Sequence, residues 1–174
     1  MGFDLGGIKP RINVKIDQFE NYHAIEQLGY KERWEILDHL TDEERSKYYN
    51  EMDSFYEANP GIYFRNNVWW WRPLWAYVIE ICHEIMTDDD IGGGSYNDGY
   101  IIKAAKAKKM AKLLEESIKD GRCERHAFDV KEHNKKLSES DDKDDRFMSS
   151  YPFDVDNVKR FIKFLRESGG FDIC

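Results

Sequence analysis

The side chains best equipped to hold a ligand lie in one short run, YFRNNVWWWRPLW, at residues 63–75. It carries Arg65 and Arg72, the amides Asn66 and Asn67, and four of the five tryptophans of the chain. Indole faces stack on flat heterocycles, guanidinium forks pair with phosphate, and an amide can pair bidentately with an adenine edge. That mixture points to a nucleotide-type ligand held by stacking and charge-assisted hydrogen bonds. The residues named for it are Arg65, Asn66, Asn67, Trp70 and Arg72, with Asn97 and Asp98 supplied by a Gly-, Asn- and Asp-rich stretch nearby. The competing reading is that the tryptophans fill the core while both arginines stack on them and satisfy buried carbonyls. Three consecutive tryptophans cannot all face one way, so at least one indole is expected at the surface with an arginine beside it.

Other chemistry-bearing groups are weaker. Asp88, Asp89, Asp90 and Asp98 could approach Ca²⁺ or Mg²⁺, but the spacing lacks the closing glutamate of a calcium loop. Gly92-Gly93-Gly94 has no GK[ST] after it and no strand before it, so it is not a phosphate loop. Glu80, His83 and Glu84 could form a carboxylate–histidine metal or acid–base site, though a partly exposed polar helix edge explains them better. His126 and His133 with Cys123 lack a fourth zinc ligand. Cys174 has neither a base nor a helix N-terminus to activate it. Lys103, Lys106, Lys108, Lys109 and Lys112 read as a solvated arc. Nothing calls for a metal or cofactor.

The elements that must position these groups follow from apolar spacing. A helix over 73–86, with Pro73 at its first position, carries two adjacent apolar stripes: Leu74, Tyr77, Val78, Ile81, Ile85 and Trp75, Ile79, Cys82, Met86. Stripes that cover over half the circumference mark a central helix packed on several sides. A strand is predicted over 1–5, ended by Gly6-Gly7, and another over 61–67 with Ile62 and Phe64 on one side and Tyr63 and Arg65 on the other. Helices are expected over 17–28 and 31–40, the second carrying Trp34, Leu37 and Leu40 at helical spacing. A further helix opens at the Thr41–Glu44 capping box, with Tyr48, Tyr49, Met52, Phe55 and Tyr56 on one face. Residues 87–99 read as a loop, with Asp98 capping a helix to about residue 119. A helix follows over 122–137, then a mobile acidic loop over 138–146. The last helix is capped by Asp154 and lined by Val155, Val158, Phe161, Ile162 and Leu165. The final residues are apolar enough to return beside the N-terminal strand.

The 174 residues suit a single domain, with residues 11–60 as a helical insertion. The fold class is α+β, predominantly helical: a small two- or three-stranded element packed by helices around the one at 73–86. A net charge of −8 argues against broad nucleic-acid binding. No apolar run reaches the roughly 20 residues of a membrane span, and the N-terminus lacks a secretory pattern. Three widely spaced cysteines fit a reducing cytoplasm. Oligomeric state is not encoded in any visible pattern.

The opening MGFD, the YFRNNVWWWRPLW run, YNDG at 96–99 and the terminal SGGFDIC resemble a family of small uncharacterised bacteriophage and prophage proteins. Members of that family carry a similar tryptophan-rich motif and end in a similar SGGFEIC. With the intervening helix, the resemblance spans about half the chain. It implies a phage-derived protein acting in a bacterial host cytoplasm, and it implies no reaction. Compact members join the opening strand to the YFRNN segment by a short connection, so the role of the insertion is not implied. The resulting expectation is a non-enzymatic accessory protein, acting in counter-defence, that sequesters a nucleotide-type ligand or a host defence protein. Alternatives are a protein-interaction module or inhibitor without a small ligand, using Trp34, Tyr48, Tyr49 and Tyr56 or the acidic stretch, and a metal-assisted hydrolase around His83 and Glu84.

Overall fold

The computed structural model describes residues 2–174, and the tryptophan-rich segment begins its central helix. In chain order the elements are β1 (Gly2–Gly7), α1 (Glu20–Glu26), α2 (Tyr30–His39), α3 (Asp42–Ala58), β2 (Tyr63–Asn67), α4 (Val68–Cys82), α5 (Asp88–Gly93), β3 (Tyr100–Lys103), α6 (Ala104–Lys119), α7 (Arg122–Ser138), α8 (Lys143–Met148), α9 (Val155–Glu167) and β4 (Gly170–Ile173). The fold is α+β and predominantly helical. Its sheet is antiparallel throughout, in the order β2-β1-β4-β3.

Four strands form where two or three were expected. The C-terminal segment does return beside β1, with Leu5 opposite Ile173. The unforeseen strand is β3, which occupies residues where Asp98 was expected to cap a long helix. Period-two burial had been masked there by the alanine- and lysine-rich helix that follows directly. Gly6 and Gly7, expected to end the first strand, lie within it. Met1 falls outside the described residues.

Alternation decides which face of the sheet is covered. Phe3, Leu5, Phe64, Ile102, Phe171 and Ile173 point inward and are buried, whereas Tyr63, Arg65 and Ile101 are exposed on the outer face. Helices α4, α6 and α9 close the inner face. Their buried side chains, including Trp71, Leu74, Tyr77, Met110, Leu114, Phe161 and Leu165, form one continuous core with the strands. Ala76 and Glu80 on α4 are exposed, as are His83 and Glu84, which lie past the end of the helix at Cys82 rather than within a helix running to residue 86.

The helix itself begins at Val68 rather than near residue 72. Asn67 Oδ1 accepts from the backbone N–H groups of Trp69 and Trp70 at 3.1 and 3.2 Å, a complete N-cap. Pro73 therefore lies inside the helix, where it removes the bond that residue 73 would make to the Trp69 carbonyl. A helix starting earlier puts Trp69, Trp70 and Trp71 on its first turn, so their indoles fan out around it.

Residues 87–99, expected as a loop, contain α5. Thr87 and Asp90 form a capping box: Thr87 Oγ1 accepts from Asp90 N at 3.2 Å, and Asp90 Oδ2 accepts from Thr87 N at 2.7 Å. The acidic stretch near residue 140, also expected as a loop, carries α8, capped by Asp142.

The segment between β1 and β2 packs a cluster of its own, Tyr22, Ile25, Leu37, Tyr48 and Phe55 from α1, α2 and α3. Thr41 and Glu44 complete the expected capping box. Of the aromatic residues at helical spacing, Trp34 and Tyr49 are exposed while Tyr48 and Phe55 are buried. Asn59, fully buried, ties the segment back to its entry point. Its Oδ1 accepts from Asn13 N and Val14 N at 2.7 and 3.0 Å, and its Nδ2 donates to the carbonyls of Val14 and Phe55 at 2.9 Å each.

Candidate functional site

Two periodicities separate the residues expected to act together. Along β2, Arg65 and Asn67 point outward while Asn66 points into the protein. Along α4, Trp70 and Arg72 stand two residues apart, about 200° around the helix, so they face opposite flanks. The expected cluster is thereby distributed over three surfaces.

On the outer sheet face, Arg65 Nε lies 3.4 Å from Asp4 Oδ1, and Tyr63 Oη donates to the same carboxylate. Asn97 Nδ2 donates to the Gly2 carbonyl at 3.2 Å, which fixes the 95–99 loop against β1. Asp98 is exposed at the end of that loop. Asn67 is committed to its cap. These four residues are engaged in holding the sheet and its connections or stand apart from any enclosed space.

The second surface is a groove of about 370 Å³ lined by Trp71, Arg72, Trp75, Ala76, Ile79, Gly94, Ser95 and Tyr96. Its floor is built by two fully packed indoles. Trp71 and Trp75 stack at 5.3 Å between ring centroids, and Phe3 extends the stack behind Trp71. Trp71 Nε1 donates to the Gly94 carbonyl at 2.7 Å and Trp75 Nε1 to the Ile91 carbonyl at 3.2 Å, so both indoles grip the C-terminal turn of α5. That close approach requires glycine at residue 94, since a Cβ there would fall 1.9 Å from the Trp75 ring. Tyr96 stands over the groove, 66% exposed. At the rim, Arg72 Nη1 donates to Tyr151 Oη at 3.1 Å.

What distinguishes Arg72 is its place at the groove, since Arg11, Arg45, Arg125, Arg146 and Arg160 likewise have no carboxylate partner among the described residues. Arg33, Arg65, Arg122 and Arg166 each sit against a carboxylate. Among the described residues the Arg72 side chain hydrogen-bonds only to the Tyr151 hydroxyl. A guanidinium beside an aromatic groove, without a carboxylate to compensate it, is a site for an anion.

The third surface is a smaller cleft enclosed by Asn66, Trp70, Asp154, Asp156, Asn157 and Arg160. Asn157 and Arg160 were not identified from the sequence. A polar residue one turn ahead of Phe161 on the buried stripe of α9 was the available signal for Asn157. Trp69, the remaining indole of the triplet, packs on Phe147 and Tyr151 at 5.1 and 4.8 Å. Tyr96 and Ser95 were likewise missed, because an exposed tyrosine in a polar loop carries no periodic mark.

The alternative chemical centres do not assemble. His83 Nδ1 lies 3.0 Å from its own helix carbonyl at Glu80, and Glu80 Oε2 reaches His126 Nδ1 at 3.6 Å instead. His126 packs against Tyr77 and Phe153 at 4.7 and 4.6 Å between ring centroids, tilted to one and edge-on to the other, and burial lowers its pKa against the opposing charges of Glu80 and Asp129. Among the described residues no three His, Cys, Asp or Glu side chains gather as metal ligands would. Cys82 and Cys123 are buried, and burial pushes their thiols up to about 12 and about 11. Cys174 is exposed. Its pKa is raised by partial burial, by a hydrogen bond to Asp172 and by the charges of Asp4 and Asp98, which keep it a thiol rather than a nucleophilic thiolate. Lys106, expected on a solvated arc, pairs with the buried Asp90.

No protein-family model, no curated protein and no solved structure matches this chain. Among the described residues no helix is long and apolar enough to cross a membrane.

Proposed function

We propose that the protein is a phage-derived accessory protein of the bacterial host cytoplasm that sequesters a nucleotide-type ligand in the groove beside Arg72, without carrying out a reaction. The observation that carries this reading is the uncompensated guanidinium at the rim of a 370 Å³ groove with aromatic walls. The space lies within the roughly 300–1,000 Å³ of small-molecule sites. A base stacks on the exposed Tyr96 ring above the packed indole floor, and the phosphate meets Arg72. The phage origin rests on the resemblance of the MGFD, YFRNNVWWWRPLW and SGGFDIC segments, and counter-defence is the role that such sequestration would serve.

A thermal-shift screen of mononucleotides and cyclic nucleotides, read alongside tryptophan fluorescence, tests the proposal. At least one nucleotide raises the melting temperature and perturbs the emission; a flat response across the whole panel removes the small-ligand reading.

A second reading has its own observation. Tyr30 and Trp34 project from α2 at 76% and 51% exposure with ring centroids 6.3 Å apart, an aromatic pair suited to a protein partner. In this reading the insertion docks on a host defence protein. Loss of a specific host partner on Trp34→Ala, with the melting temperature unchanged, supports it; retention of that partner counts against it.

A further inference from the structure

The cleft on the opposite flank of α4 is built for a different ligand. Asn66 and Asn157 are each 7% exposed, and Asn66 Nδ2 donates to Asn157 Oδ1 at 3.2 Å. One bond occupies one donor and one acceptor of the pair. Among the described residues Asn66 Oδ1 and Asn157 Nδ2 take no other protein partner, and both residues line the cleft. Two nearly buried amides therefore leave one acceptor and one donor free beside a space of about 190 Å³. That is the pattern with which an amide reads the edge of a nucleobase. Trp70 adds an indole wall on which a flat ring can stack.

The charges around the cleft select the class of ligand. Asp154 and Asp156 stand at its mouth with a single cation, Arg160, whose guanidinium lies over the Phe64 ring at 5.6 Å. Asp156 is paired with Lys159 at 2.8 Å, while Asp154 Oδ1 accepts the Asp156 N–H at 3.0 Å as the cap of α9. Lys159 and Arg160 balance the two carboxylates, so the cleft has no net positive charge to draw in a phosphate, while Asp154, outside the Asp156–Lys159 pair, can accept hydroxyl hydrogens. We propose that this cleft is a second binding site, for an uncharged nucleoside: base edge on Asn66 and Asn157, base face on Trp70, sugar hydroxyls on Asp154. Its volume is below the usual range for whole ligands, so it takes the base and leaves the sugar at the mouth. The inference does not rest on the groove at Arg72, which lies across the helix.

The test is a titration of the full ¹⁵N-labelled chain with adenosine and, separately, with adenosine 5′-monophosphate. The side-chain amide resonances of Asn66 and Asn157 and the indole N–H of Trp70 are followed. Adenosine moves all three, and the monophosphate acts on them at least tenfold more weakly. Asn157→Ala removes the response, Asp156→Asn narrows the gap between the two probes, and Arg72→Gln leaves the adenosine response unchanged. The proposal is overturned if adenosine leaves the wild-type resonances unmoved, if the monophosphate binds there as tightly as adenosine, or if Asp156→Asn leaves the gap as wide. The wild-type and Asp156→Asn titrations decide the matter even if Asn157→Ala does not fold.

Discussion

Asp90 shows how one side chain can set the position of a whole surface. Its carboxylate closes the capping box of α5, receives the Tyr100 hydroxyl at 3.1 Å and pairs with Lys106, all while almost fully buried. Burial pushes its pKa up, but the bonds from Lys106, Thr87 and Tyr100 outweigh burial and hold the carboxyl below the usual carboxylate range. A lowered folded pKa means that the stabilisation is present above the unfolded value near 3.9 and is lost as pH falls through the folded one. Asp90→Asn is therefore less stable than wild type at neutral pH and loses less on acidification below about pH 4. Urea denaturation at stepped pH measures this, and parallel acid limbs in the two proteins would refute it. Lys106→Met leaves the buried carboxylate without its cation, held only by Thr87 and Tyr100, at a cost of roughly 3–5 kcal/mol. In the sequence Asp90 was one of three consecutive aspartates and Lys106 one of five clustered lysines. Nothing local marks which acid is buried, because the pairing is made across α5, β3 and α6.

Elements were easier to read where one periodicity ran alone. The apolar stripes of α4 and α9, the caps at Thr41 and Asp154 and the in–out alternation of β2 all follow from side-chain spacing, and the structure has each of them. The boundaries failed where two signals competed. Pro73 advertised a helix start, yet Asn67 holds the cap a full turn earlier, and β3 runs into α6 without a turn residue between them. The same error concealed the geometry of the site, because a helix that starts at Val68 sends Trp70 and Arg72 to opposite flanks. Asn67→Ala should cost about 1 kcal/mol in thermal or urea denaturation, whereas Asn67→Asp keeps the cap and gains from the helix dipole. Equal loss in both variants would show that the amide serves some purpose other than capping.

The molecule as a whole is a helix-covered sheet with a second helical cluster inserted between two adjacent strands. Gly6 faces Tyr63 in the β1–β2 register, and Gly7 N donates to the Ile62 carbonyl at 2.9 Å, so the ends of the insertion meet like the ends of a hairpin. The insertion has its own apolar cluster and Asn59 clasp, and it meets the end of α9 through bonds from Lys9, Arg11 and Asn13 to Ser168 and Glu167. Replacing residues 9–60 with a short glycine-containing turn should leave a cooperatively melting protein whose Trp71 and Trp75 emission stays that of buried indoles. A molten chain without a thermal transition would show that the insertion is part of the core. Such a shortened protein would also separate the two readings of function, since it keeps both clefts flanking α4 and loses Tyr30 and Trp34.

The most direct measurement is isothermal titration of adenosine 5′-monophosphate into the wild-type chain, Arg72→Gln and Arg65→Gln. Arg72→Gln should weaken binding at least tenfold, about 1.4 kcal/mol, whereas Arg65→Gln, which loses only an exposed ion pair on the outer sheet face, should bind as the wild type does. No binding heat in the wild type, or full affinity in Arg72→Gln, would contradict a ligand site beside that guanidinium.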